Sequence, residues 1–69
     1  MTGLLIQNQD RPDVALDTGR LYGGLHCGDC FCCLINGEWL NVRLEFDTDW
    51  MLIHEGESMP VCYGARIVL

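Results

Sequence analysis

At 69 residues the chain has room for one hydrophobic core and no second domain, so 1–69 reads as a single unit. A hydrophobic fraction of 49% excludes intrinsic disorder. Ten acids against four arginines and no lysine give a formal charge of −6, which disfavours direct nucleic-acid binding through a basic footprint. The same charge would attract a protein with a basic surface, such as the groove of a nuclease, although it also simply keeps a small domain dispersed.

The opening MTGLLIQNQDRPDV has no basic n-region and only a three-residue apolar run, Leu4 to Ile6, so it does not read as a signal peptide. No later run approaches the roughly 18 apolar residues of a membrane-spanning helix. Five cysteines, an odd number, without an export signal point to a reducing cytoplasm rather than a disulfide framework. Residues 1–18 read as an N-terminal strand followed by the polar loop QNQDRPD, with Val14 to Leu16 a second short strand before an Asp17-Thr18-Gly19 turn. Residues 19–69 read as the core of the fold.

No stretch carries a capped helical stripe, whereas CFCCLINGEWLNVRLEF has strong strand signals. Asn36-Gly37 suits the two positive φ angles of a type I′ hairpin turn, which predicts a hairpin over 30–46. After the turn, Trp39, Asn41, Arg43 and Glu45 alternate with Leu40, Val42, Leu44 and Phe46, giving one wet and one buried face. Asp47-Thr48-Asp49 turns the chain into Trp50 to Ile53. HEGESMP reads as a polar loop, and ARIVL as the last strand. Short strands at this spacing predict an all-β barrel or sandwich.

LHCGDCF, INGEW, RLEF, DW and the terminal ARIVL, in this order and spacing, resemble a family of short bacterial proteins of unknown function associated with mobile elements of gut bacteria. The resemblance runs from about Gly19 to Leu69 and implies an SH3-like barrel of about five short antiparallel strands. Leu25, Gly28 and Asp29 match the family's turn into its first long strand. Asn36, Gly37 and Trp39 match its hairpin, Arg43 and Glu45 the next strand, and Asp49-Trp50 its Asp-Trp pair. Cys32 and Cys33 depart from the pattern, standing where an acidic and an aliphatic residue are expected, and Met51 stands where an aromatic is usual.

CGDCFCC holds four cysteines in seven residues. Cys27-x2-Cys30 supplies one zinc knuckle, but the remaining candidates, Cys62, His26 and His54, are isolated in sequence. A zinc-stabilised domain on Cys27 and Cys30 is the alternative reading of the chain; the favoured one assigns no metal and no cofactor. A redox dithiol would need a thiolate at a helix N-terminus, whereas this motif leads into a strand and Asp29 opposes a thiolate. The favoured account is packing, with Cys30 and Cys32 on one face of a strand and Cys33 on the other.

Neither histidine has a nucleophile at a recognisable spacing, and Ser58 lacks a glycine elbow, so a non-enzymatic role is expected. Trp39 lies on the wet register, where it either covers the barrel end or anchors a partner beside acids. The predicted function is an acidic protein-interaction module, and Glu38, Trp39, Glu45, Asp47 and Asp49 are its candidate partner-binding residues. Its sharper form is an inhibitor of a nucleic-acid-binding enzyme, such as an anti-CRISPR. Self-association through exposed edges is a further expectation.

Overall fold

A computed structural model describes all of residues 1–69. The chain folds into seven antiparallel strands of one open sheet, without helices. In chain order these are β1 (Thr2–Asn8), β2 (Arg11–Leu16), β3 (Cys30–Ile35), β4 (Glu38–Phe46), β5 (Trp50–His54), β6 (Glu57–Pro60) and β7 (Arg66–Val68). Their order across the sheet is β2-β1-β7-β3-β4-β5-β6, so the last strand slots between the first hairpin and the central meander.

The central hairpin has the predicted register. Ile35 pairs with Glu38 across Asn36 (φ 52°) and Gly37 (φ 81°), the two positive angles a type I′ turn requires. Side-chain alternation then buries Phe31 and Cys33 of β3 and Val42 and Leu44 of β4.

Two expectations are corrected. HEGESMP is a β5–β6 hairpin, because Glu55 (φ 50°) and Gly56 (φ 81°) form another tight two-residue turn between His54 and Glu57. Pro60 ends β6 on an open edge, where a missing N–H breaks no ladder. Residues 1–18 are likewise one continuous hairpin, with Asn8 pairing with Arg11 around Gln9 (φ 57°), and QNQDRPD is largely strand. Only β6 is new to the strands read from sequence, and with both N-terminal strands it brings the total to seven, against about five in the barrel that the resemblance implies.

Leu5 and Val14 of the first hairpin, Ile67 of β7, Leu44 and Leu52 of the meander and the loop residue Leu25 all belong to one core. Residues from both ends of the sheet share that core, so the sheet curls over itself. The Trp50 indole N–H at the start of β5 donates to the Asp10 carbonyl in the β1–β2 turn at 2.9 Å, and so ties the two ends together. No ladder closes between β2 and β6. The outer edge of β2 is instead covered by the following loop, through Tyr22 N–H to Val14 C=O (2.9 Å) and Leu25 N–H to Pro12 C=O (3.0 Å).

Candidate functional site: an aromatic groove with an acidic rim

Trp39 follows the outward register and is 54% exposed, with Glu38 exposed beside it. Glu45 lies six residues further along β4, roughly 20 Å away at the usual strand rise, with Asp47 and Asp49 beyond it in the β4–β5 turn. The five predicted residues therefore divide between opposite ends of one strand and do not form one patch. Glu45 is also engaged, since Arg43 Nε lies 2.6 Å from its carboxylate.

At the β4–β5 end the chain forms a groove of about 460 Å³ at the seam where the curled sheet meets itself. Phe46, Trp50, Tyr63 and Pro60 supply its apolar lining, and Asp10 and Asp49 its charge. Gln7 of β1 and Val61 complete it. Phe46 and Trp50 form the last cross-strand pair of β4 and β5, and their rings meet edge to face at 5.0 Å. Alternation assigned Phe46 to the buried face. It is 52% exposed because the inward row runs out at the strand end, beyond the reach of the core. Trp50 is half-buried and serves both core and groove.

Electrostatics in the groove are one-sided. Arginines pair with Glu45 and Asp17, and histidines lie 3.9 Å from Asp29 and Glu55, leaving Asp10 and Asp49 without a basic partner. One Asp49 oxygen accepts the Trp50 backbone N–H at 2.8 Å, which sets the turn and leaves the other oxygen free. Partial burial, then the neighbouring Asp49 carboxylate, raises the Tyr63 pKa above its ordinary value of 10.0 and keeps the phenol protonated. Arg11 holds its guanidinium 5.8 Å from the Trp50 ring while donating to the Leu25 carbonyl at 2.8 Å; it is not among the groove-lining residues.

Two other depressions lack this combination. One, on the outer face of β3–β5, is lined by Cys30, Cys32, Asn41, Arg43, Ile53 and Val68 and carries no acid. The other, beside the β2 end, contains Asp17, which is clamped by both Arg66 nitrogens at 2.8 Å.

The cysteines follow strand parity. Cys33 is fully buried, Cys30 is exposed, and Cys32 is half-buried with its thiol 3.0 Å from the Asn41 side-chain oxygen. Burial, and secondarily Cys62, pushes the Cys33 thiol up to about 11, the opposite of an activated nucleophile. No three histidine, cysteine or acidic side chains gather in metal-ligating geometry, and His54 Nδ1 lies 2.8 Å from the Asn41 carbonyl.

Sequence reasoning overlooked Asp13. This fully buried carboxylate accepts the backbone N–H groups of Val14 (2.7 Å), Gly23 (3.1 Å) and Gly24 (2.8 Å) and the Asn8 amide (3.1 Å). It pins the loop after β2 to the sheet. Gly23 and Gly24 lie in that loop and supply two of these donors.

Residues 4–67 match the domain-of-unknown-function family DUF5348. The chain belongs to this family. The match takes in most of the N-terminal hairpin, which had contributed little to the resemblance read from sequence. A crystal structure of a protein from Ruminococcus gnavus, a gut bacterium, is similar at a TM-score of 0.80 and 34% identity, with 100% of each chain covered. A search of curated proteins found no match.

Proposed function

We propose that this DUF5348 chain is a non-enzymatic interaction module that binds a basic protein segment in the seam groove. The observation that carries the reading is the meeting of Phe46, Trp50 and Tyr63 with two carboxylates, Asp10 and Asp49, that have no basic partner. An aromatic floor supplies contact area at low entropy cost, and the acids steer and orient a cation. Trp39 is a separate exposed aromatic, and this reading moves the contact surface to the opposite end of β4. On the same view the curled sheet is an elaborated SH3-like barrel, supported by the Trp50–Asp10 link between its ends.

Capture of binding proteins from a lysate of the source bacterium, followed by mass spectrometry, tests the reading when run in parallel with variants. A partner retained by W39A and lost with F46A and with the D10N/D49N double variant supports it. A partner lost only with W39A, or retained by all variants, overturns it.

A further inference from the structure

The groove differs from a general acidic patch in the hydrogen-bonding capacity it leaves open. Asp49 has one oxygen committed to the Trp50 N–H and a second with no donor. The Asp10 carboxylate has no donor within the chain; only its backbone carbonyl is engaged, by the Trp50 indole. Both acceptors line the groove together with Phe46 and Tyr63, and they come from turns separated by 39 positions.

A cation suited to this arrangement must stack flat on aromatic carbon and donate in several directions within one plane. A guanidinium does both. Its delocalised plane stacks on rings, and its five N–H groups lie in a fixed fork. A lysine ammonium is a compact, strongly hydrated point charge, and a trimethylated ammonium has no donor at all. The chain supplies an internal parallel, since Arg11 already brings a guanidinium to the same indole while donating to a carbonyl oxygen.

Resting on the reading of the groove as a basic-partner site, we infer that its specific occupant is an arginine side chain of the partner, held between Asp10 and Asp49 on the Phe46 and Tyr63 rings. The partner's recognition element is then an arginine presented on an extended or loop segment, and arginine-to-lysine replacement there is not conservative.

The test is a titration of the 15N-labelled full chain at constant ionic strength with N-acetylarginine amide, N-acetyllysine amide and N-acetyl-trimethyllysine amide. Expected is a saturable shift of the Trp50 indole N–H and of the Asp49 and Tyr63 amides, with the arginine probe about fivefold tighter than the lysine probe. The Trp39 indole signal should stay in place. D10N/D49N retains shape and the Asp49 turn acceptor, and should abolish the preference; F46A should weaken all three probes. Equal or tighter binding of either lysine probe at these residues overturns the arginine assignment while leaving the basic-partner reading standing. No groove shift with any probe overturns both.

Discussion

Four donors converge on the buried Asp13 carboxylate, and its ionisation shows which force dominates there. Burial is the largest single influence and raises the pKa, but hydrogen bonds from Gly24, Val14, Asn8 and Gly23 together outweigh it and hold the value below 3.8. A depressed carboxylate stabilises the fold above its unfolded pKa and loses that contribution as pH falls through the folded value. Asp17 behaves likewise at the surface, lowered to about 2 first by its Arg66 hydrogen bonds, then by Thr2. Asp13→Ala should cost about 3 kcal/mol in urea denaturation, because buried N–H groups lose their acceptor. Its stability should also fall less steeply than wild type between pH 5 and pH 3. A wild-type slope in the variant would show that another group controls this window. Cys33, held up at about 11, should resist iodoacetamide at pH 8 until the chain is denatured, while the exposed Cys27 and Cys30 label in the native state; peptide mass spectrometry reads the difference.

At the scale of elements, turns and close approaches set the strand count. Glu55 occupies a left-handed position at φ 50°, where a side chain without a short polar group is disfavoured. Glu55→Asn should therefore stabilise the β5–β6 hairpin by roughly 0.5–1 kcal/mol, seen as a higher denaturation midpoint with unchanged slope. Gly3 is constrained by space rather than by φ. A Cβ there would clash with the Ala15 carbonyl oxygen and lie 2.8 Å from Val14 Cγ1, so Gly3→Ala should destabilise by about 1–3 kcal/mol as β1 is pushed off β2. Sequence alone flagged neither position. Asn36-Gly37 declared its hairpin because both residues favour positive φ, whereas Gln9 and Glu55 reach it only under the pull of the ladders around them. The edges also differ. The loop covers β2, while β6 leaves a free edge only four residues long and ending in Pro60, a poor template for pairing with another chain.

For the whole molecule, the groove depends on curvature. Trp50→Phe removes the indole donor to the Asp10 carbonyl while keeping an aromatic at the seam, and should cost about 1 kcal/mol. It should also shift the amide signals of residues 8–11 more than those of the distant Asn36-Gly37 turn; an unperturbed β1–β2 turn would show that the core alone holds the seam. Partner binding at the groove should weaken as salt rises from low to physiological strength, since Asp10 and Asp49 are not deeply buried and a Debye length shrinks to about 8 Å. Of the candidate site, Asp49 was legible as an acid in a turn and Trp50 as part of the Asp-Trp pair. Asp10 and Tyr63 were not, because nothing local relates residues 53 positions apart.

The all-β class, the Asn36-Gly37 hairpin, the face on which each β3 thiol lies and the acidic balance are all legible in residue order alone. All follow from near-neighbour physics: strand alternation, turn conformational preference and formal charge. Long-range packing is what runs ARIVL between β1 and β3, takes Phe46 out of the core, sets Arg43 and Arg66 against Glu45 and Asp17, and brings Asp10 and Asp49 to one groove with no basic partner. These outcomes come from burying apolar residues from both ends of one sheet in a common core. That requirement bends the sheet until its first turn meets Trp50, and no local pattern encodes where the two ends meet.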